Sequence, residues 1–256
     1  MGLTKKQKNA IDKLLKPKFK CKVKRFKVSK SMDFNPAASN VIPKKHRRIM
    51  ATVHSWSTFF GQSIWESLAE TIATNSNKEC HTQWHAPKRI SKDRVNKIDE
   101  ILRENIKYFK SKKKEGKKPD VENEIEEILA IPNENLVDDE TDNIVDIYFD
   151  NEYLIDSKTV TINKDLWIDL KKKTLKWVAR MDRPVKAVVG LPYNPKGIKP
   201  YSGIGSEIME LDKNLLVGEN YWSIYGNNIF QDLAKRFKKL GTEYFNQTLK
   251  KASLKT

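Results

Sequence analysis

Residues 144–162 read IVDIYFDNEYLIDSKTVTI, and they carry the strongest structural signal in the chain. Two runs of β-branched and aromatic residues, at 144–149 and 153–162, flank the turn-forming triplet DNE at 150–152. Strand-forming runs that are separated by such residues predict a β-hairpin.

The elements on both sides of this hairpin predict a mixed α/β fold. After it come a predicted helix over 165–181 and the apolar run VKAVVGL at 185–191, which is typical of a buried central strand. Apolar spacing and breakers predict further helices over 44–73, 93–109, 121–131 and 228–250, with irregular segments at 74–92 and 111–120. The predicted architecture is therefore a mixed β-sheet flanked by helices.

Three polar side chains interrupt the apolar pattern of the hairpin. Alternation places Asp156 and Lys158 on one face of the second strand, and hairpin pairing brings Asp146 beside them. Buried carboxylates need a partner, and Mg²⁺ prefers carboxylate oxygens together with phosphate and water. With a lysine to orient water and stabilise phosphate charge, this set suits phosphodiester hydrolysis.

The arrangement IVDIYF-x₃-YLIDSK has the spacing of the PD-(D/E)XK nucleases, with Asp156 where Glu is common. Taken alone the pattern is loose, and an ordinary hairpin with a polar face would also produce it. The helix and apolar strand that follow the hairpin favour the nuclease interpretation. Two other functions stay open: another PD-(D/E)XK nuclease that acts in repair or junction resolution, and a basic nucleic-acid-binding protein without enzymatic activity.

The charge is strongly basic and unevenly distributed. The 256 residues include 49 Lys or Arg and 33 Asp or Glu, a formal charge of +16. Residues 1–48 carry 16 Lys or Arg and two Asp, whereas residues 120–157 carry 14 acidic residues and no Lys or Arg. Such a basic segment favours nucleic acid as the partner. With no apolar run of about 20 residues, no signal-peptide pattern and two cysteines, we expect a cytoplasmic protein without a membrane contact.

The N-terminal segment is predicted to be a basic arm, at residues 1–43. We expect a short helix over 3–16 that ends at Pro17, a strand over 18–28 from its alternation of lysines with apolar residues, and a loop over 33–43. A nuclease domain is predicted over 44–256, with its core at about 59–227 and a C-terminal helix at 228–250.

Four blocks of the sequence resemble successive blocks of the TdeIII family of type II restriction endonucleases. They are FFGQSIWESLAETIA at 59–73, VDIYF with YLIDSKTVTIN at 145–163, LPYNPKGIKPY at 191–201 and LDKNLLVGENYWSIYGN at 211–227. The resemblance implies a PD-(D/E)XK fold, a homodimer, Mg²⁺ and cleavage of double-stranded DNA at a short palindrome of the GGNCC kind. It also implies a cognate DNA methyltransferase as the partner of the system. By this resemblance Asp146 and Asp156 are metal ligands and Lys158 is the catalytic lysine.

Further residues are candidates for the metal site or for DNA contact. Glu66 and Glu70 share one helix face, and Glu66 could add a third metal ligand; a solvated acidic stripe is the equal alternative. Cys80, His81 and His85 have no second ligand pair, so a chance cluster is preferred to a zinc site. Tyr193, Asn194, Lys196 and Lys199 are candidates for DNA contact, with a structural connection as the alternative. Lys171 and Lys172 are candidates for a rim that faces phosphate, although for each single lysine a solvated role is preferred.

Overall fold

The computed structural model describes residues 2–26, 42–111, 113–159, 162–197 and 199–253. They form two compact units. One unit takes the chain up to Asn75 and again from Tyr225 onward, and the other runs from Ser76 to Ile224. This is a structural division, and the division predicted at residue 43 between an arm and a nuclease domain stays a prediction.

The helices and strands of both units follow each other along the chain. The helices described are α1 Lys5–Arg25, α2 Lys44–Ser63, α3 Trp65–Thr74, α4 Lys92–Lys110, α5 Val121–Leu129, α6 Lys164–Met181, α7 Gly205–Ile208, α8 Glu219–Ser223 and α9 Ile229–Ser253. The strands described are β1 Cys80–His85, β2 Arg89–Ser91, β3 Leu136–Asp138, β4 Ile144–Phe149, β5 Tyr153–Ser157, β6 Lys186–Leu191 and β7 Leu215–Val217. None of the helices described is long and apolar enough to cross a membrane.

A mixed five-stranded sheet organises the second unit, in the order β1-β4-β5-β6-β7. Strands β1, β4 and β5 pair antiparallel, whereas β5, β6 and β7 pair parallel. Strands β2 and β3 form a separate antiparallel pair. With helices α4 to α8 in the same unit, this confirms the predicted mixed β-sheet flanked by helices.

The predicted hairpin is present and consists of β4 and β5, but β5 ends at Ser157, whereas the sequence predicts a strand up to residue 162; residues 160–161 lie outside the described residues. Its turn places Asp150 and Asn151 at φ angles of 52° and 55°, a left-handed conformation that Asp and Asn tolerate better than most residues. The register pairs Ile147 with Ile155 and Phe149 with Tyr153. The turn residues therefore set the alignment of the two strands that carry the candidate acidic residues.

Each face of the sheet beside this hairpin is covered by a helix. On one face, Trp177 of α6 is fully buried in a cluster that includes Leu154 of β5. On the other face, a Cβ at Gly190 would collide with the ring of Tyr221 from α8, so the absence of a side chain lets α8 approach the sheet. The strands that carry the candidate site are thus packed on both faces.

The first unit corrects two predictions about the N-terminal segment. Helix α1 continues through Pro17 to Arg25, so neither the predicted stop at Pro17 nor the predicted strand over 18–28 is right; residues 27–28 and the loop predicted at 33–41 lie outside the described residues. Buried residues recur at every fourth position: Leu3, Gln7, Ile11, Leu15, Phe19 and Val23. Packing on this stripe, which includes Phe19 5.3 Å from the ring of Trp56, overrides the local alternation.

The exposed side of α1 is strongly basic. Its exposed Lys residues form what we call the α1 ridge: Lys5, Lys6, Lys13, Lys16, Lys20 and Lys24. Asp12 pairs with Arg236 of α9 at 3.0 Å and with Lys16 of the ridge at 3.8 Å, so it offsets the charge of the ridge only in part.

The remaining predictions are mostly confirmed. Helices α4, α5, α6 and α9 and strand β6 lie within a few residues of their predicted bounds. The helix predicted over 44–73 is two helices that meet at Ile64. The segment predicted to be irregular at 74–92 instead contains two strands, β1 and β2. Strand β1 lies at the edge of the five-stranded sheet, and its side chains alternate between half-buried and exposed.

Candidate active site

Asp146 and Asp156 lie next to each other at the end of the hairpin away from its turn. Continuing the register by one pair beyond Ile147 and Ile155 places Asp146 across from Asp156, on the same face of the sheet. The backbone N–H of Ser157 donates a hydrogen bond to Oδ2 of Asp146 at 2.8 Å. The pairing of the strands therefore fixes the separation of the two carboxyl groups.

Lys158 joins the two carboxyl groups. Its ammonium makes an ion pair with Oδ1 of Asp156 and lies 3.9 Å from Oδ2 of Asp146. Its backbone N–H donates to the carbonyl oxygen of Gly190 at 2.9 Å, which extends the pairing of β5 with β6. The structure thus brings the three predicted residues together: the two aspartates lie on neighbouring strands, and Lys158 directly follows β5.

A second lysine, which the sequence analysis did not assign to this site, completes the cluster. Lys173 of helix α6 donates a hydrogen bond to Oδ2 of Asp156 at 2.6 Å. Its ammonium also lies 5.1 Å from the ring centre of Trp177, in a cation–π contact. Asp156 is fully buried and therefore has a lysine on each of its two oxygens.

Burial and mutual repulsion dominate the electrostatics of the two carboxyl groups. Desolvation, followed by the charge of Asp156, raises the pKa of Asp146 to about 6. Lys158, the N–H of Ser157 and Lys173 act in the opposite direction. Because the raised pKa reflects an unfavourable buried charge, additional positive charge beside Asp146 would stabilise its ionised form.

The residues of the site fit a divalent cation. Two carboxylates on one sheet face are hard oxygen donors, and a cation beside them would offset the repulsion that raises the pKa of Asp146. Within the described parts of the chain, no group of three or more His, Cys, Asp or Glu side chains is arranged to hold a metal ion. The carboxylate pair would therefore share a cation with water and phosphate oxygens, as is usual for Mg²⁺.

Glu66 and Glu70 belong to the other unit, where both lie on α3 and are half-buried. The charge of Glu66 acts on Lys18, whose pKa is lowered by burial and partly restored by this carboxylate. A contribution of Glu66 to the metal site stays a prediction.

Lys171, a candidate for DNA contact, is buried in the structure. Its side chain is 1% exposed, and its ammonium contacts Glu124 at 2.7 Å, Asn105 at 2.6 Å and the carbonyl oxygen of Ile208 at 3.1 Å. A lysine that is enclosed by these partners cannot also reach a phosphate of DNA. The expected DNA contact at Lys171 is therefore replaced by a role inside the fold.

The other candidate DNA contacts lie at the surface. Lys172 is half-buried and pairs with Asp99 at 2.6 Å. In the loop after β6, Lys196 and Lys199 are exposed. Asn194 shapes this loop, because its side chain donates to the carbonyl oxygen of Lys199 and accepts from the N–H of Lys196. Tyr193 donates from its hydroxyl to the carbonyl oxygen of Thr159 at 2.5 Å.

The three residues that raised the question of zinc lie on strand β1. His81 and His85 are exposed, and Cys80 is half-buried. His81 contacts the carboxylate of Glu79 at 3.0 Å. The preference for a chance cluster over a zinc site at these three residues stays a prediction.

The fold and the site together define the class of this protein. A mixed sheet of the restriction-endonuclease-like class carries two carboxylates on adjacent strands, and the lysine directly after the second strand lies beside both. The family described as "Type II restriction endonuclease, HinfI" matches residues 3–241, and the chain belongs to this family. No curated protein and no solved structure gives a match.

Membership of this family confirms the predicted enzyme class. The protein is a type II site-specific deoxyribonuclease whose substrate is DNA, and enzymes of this family generally use divalent metal ions. This excludes the alternative of a binding protein without enzymatic activity. The match begins at residue 3 and therefore includes helix α1. The more specific resemblance to the TdeIII family stays a prediction.

Proposed function

We propose that this endonuclease hydrolyses both strands of double-stranded DNA at a short palindromic site, with Mg²⁺ as its cofactor. The observation that carries this proposal is the convergence of Asp146, Asp156 and Lys158 at one end of the β4–β5 hairpin. The same three residues form the Asp, Asp-x-Lys pattern of the PD-(D/E)XK nucleases, to which we assign the site.

Each of the three residues has a distinct role in this proposal. Asp146 and Asp156 would hold Mg²⁺, which when bound lowers the pKa of a water and offsets negative charge on the phosphate. Lys158 holds its ammonium beside both carboxylates, so it can orient the attacking water and stabilise the charge that grows on the scissile phosphate. Glu66 is a proposed further ligand.

DNA contact is proposed at the loop after β6 and on helix α6. Lys196 and Lys199 supply exposed ammonium groups for phosphates or guanine edges, and Asn194 and Tyr193 shape the loop that presents them. Lys172 would exchange its partner Asp99 for a phosphate. Lys171 is omitted because its ammonium is buried.

The assembly and the target follow from the resemblance to the TdeIII family. We infer a homodimer in which each subunit cuts one strand, because two-fold protein symmetry matches a palindrome. The proposed target is of the GGNCC kind, and a DNA methyltransferase of the same system would protect host DNA. The proposed location is the cytoplasm, where that DNA lies.

A digestion of plasmid DNA tests the proposal. The purified protein is incubated with a sequenced plasmid in Mg²⁺ or in EDTA, and the fragment ends are then sequenced. We expect discrete fragments in Mg²⁺, ends that share one short palindrome, and no cleavage in EDTA. Ends without a common sequence, or nicks confined to branched DNA, would instead indicate the repair or junction-resolving alternative. Cleavage at a palindrome unlike GGNCC would contradict the proposed target alone.

A further inference from the structure

Lys173 has no role in the mechanism proposed above, yet it makes one of the closest contacts in the site. Its ammonium donates to Oδ2 of Asp156 at 2.6 Å, while Lys158 occupies Oδ1. The side chain of Asp156 is 0% exposed, whereas that of Lys173 is 19% exposed. The structure thus places an ammonium on each oxygen of a proposed metal ligand.

The charge balance shows why one of these ammonium groups has to move. With all four groups ionised, the carboxylates of Asp146 and Asp156 balance the ammonium groups of Lys158 and Lys173. A divalent cation would then add two positive charges to a buried, electrically neutral cluster, where charge repulsion is weakly screened. The cation therefore competes with an ammonium for the carboxylate oxygens.

Of the two lysines, Lys173 is the one whose contacts allow it to leave. Lys158 directly follows β5, its backbone N–H donates to the carbonyl oxygen of Gly190, and its ammonium faces both carboxylates. Lys173 reaches only Asp156, from helix α6, and its ammonium already makes a cation–π contact with the ring of Trp177, which can persist when Oδ2 is released. That ring is fixed in place, because its Nε1–H donates to the carbonyl oxygen of Asp142 at 2.7 Å.

We propose that Lys173 is a positioning residue that occupies the metal's place on Oδ2 of Asp156 in the DNA-free enzyme. It keeps the buried carboxylate oriented, and it keeps the affinity for the metal low until the phosphates of DNA add negative charge. When metal and DNA are bound, Lys173 leaves Oδ2. This inference rests on the proposed function, because it takes Asp156 as a metal ligand.

Metal binding to the DNA-free protein tests this role without a cleavage assay. Binding of Mn²⁺ is measured by titration calorimetry at one pH and one ionic strength for the natural protein, Lys173→Gln and Lys173→Arg. Removing the competing charge should tighten binding by about ten-fold or more in Lys173→Gln. Lys173→Arg should bind as the natural protein does. Unchanged or weaker binding in Lys173→Gln overturns the inference.

Two controls keep this result interpretable. Lys186→Gln removes an ammonium that is also 2.6 Å from a carboxylate, that of Glu152, but at the other end of β6, and should leave Mn²⁺ binding unchanged. Asp156→Asn should lose Mn²⁺ binding. If Asp156→Asn binds Mn²⁺ as well as the natural protein does, the proposed function fails. If Asp156→Asn loses binding while Lys173→Gln gains none, the role of Lys173 alone fails.

A structure of the unsubstituted protein tests the same idea even if Lys173→Gln does not fold. Crystals of the protein with a short DNA duplex and Ca²⁺ should show Ca²⁺ on Asp156 and the ammonium of Lys173 beyond hydrogen-bond distance of Oδ2. Lys173 still hydrogen-bonded to Oδ2 beside a bound Ca²⁺ overturns the inference.

Discussion

The ammonium of Lys171 and the carboxylate of Glu124 form an ion pair of 2.7 Å in the interior of the second unit, with side chains that are 1% and 5% exposed. Burial lowers the pKa of Lys171 and raises the pKa of Glu124, and the attraction between the two opposes both changes. Asn105 and the carbonyl oxygen of Ile208 satisfy further hydrogen bonds of the ammonium. The pair thus links helices α4, α5, α6 and α7.

Breaking this pair from one side should destabilise the protein strongly. Lys171→Met leaves Glu124 buried without its counter-charge, and we expect a loss of about 3–5 kcal/mol in the free energy of unfolding, measured with denaturant. Adding Glu124→Gln should recover more than half of that loss. The salt dependence of DNA binding should not change. If the slope of the logarithm of the binding constant against the logarithm of salt concentration falls by about 0.9 in Lys171→Met, Lys171 contacts a phosphate after all.

The stability of the metal-free protein should depend on the protonation of Asp146. Its pKa is about 6 in the folded protein and 3.8 in the reference state, so folding takes up a proton between these values. The contribution of Asp146 to the free energy of unfolding is therefore fully present below pH 4 and is lost as the pH rises through 6. Relative to the natural protein, Asp146→Asn should gain about 2–3 kcal/mol across this interval, with EDTA present. If the free energy of unfolding changes with pH in the same way in Asp146→Asn and in the natural protein, Asp146 does not take up a proton on folding.

Removing the ammonium of Lys158 should separate binding from cleavage. Lys158→Ala keeps the backbone hydrogen bond to Gly190 and both carboxylates, so binding to specific DNA in Ca²⁺ should persist. The single-turnover rate of cleavage in Mg²⁺ should fall by about 10²–10³, the usual effect of losing one electrostatic group. Lys186→Gln serves as the control and should cut at the natural rate. Full digestion by Lys158→Ala would exclude the proposed role.

The α1 ridge should contribute to DNA affinity without sequence preference. Replacing Lys13 and Lys20 by Gln should weaken binding to any duplex and reduce the salt slope by about 0.9 for each phosphate contact that is lost. As the control, Lys88→Gln with Lys117→Gln removes exposed ammonium groups that already pair with Glu140 and Glu127. An equal change of slope in both sets would show that net charge acts, and not the ridge.

The hairpin and its acidic residues could be predicted because the information is local. The alternation of β4 and β5 and the turn at Asp150 and Asn151 fix which residues face each other, and these lie within a few positions along the chain. The neighbouring positions of Asp146 and Asp156 then follow from pairing alone.

Lys173 was missed because its direction depends on tertiary structure. Lys171, Lys172 and Lys173 are consecutive, and successive residues of a helix point about 100° apart. In the structure the first is buried against Glu124, the second pairs with Asp99 near the surface and the third reaches Asp156. Which lysine takes which place is set by the rotation of α6 on the sheet, and the sequence of the helix does not reveal it.

The strand predicted over 18–28 failed for a related reason. Lysines that alternate with Phe19, Cys21 and Val23 satisfy a period of two, but Phe19 and Val23 also satisfy a spacing of four. The aromatic rings packed around Phe19, among them Trp56 and Tyr244, decide between these periods. Those rings come from α2 and α9, far away along the chain.

Because its stripe repeats every four residues while a helix turns every 3.6, the buried line winds around α1. At one end of this line Gln7 donates to the carbonyl oxygen of Ile72 in α3, and at the other the carbonyl oxygen of Val23 accepts from Lys251 in α9. The first 26 residues are consequently held in place by contacts with α2, α3 and α9. Removing residues 1–26 would expose Trp56 and its neighbours to water. The main effect of such a truncation would therefore be unfolding of this unit, and a lower affinity for DNA would be secondary to it.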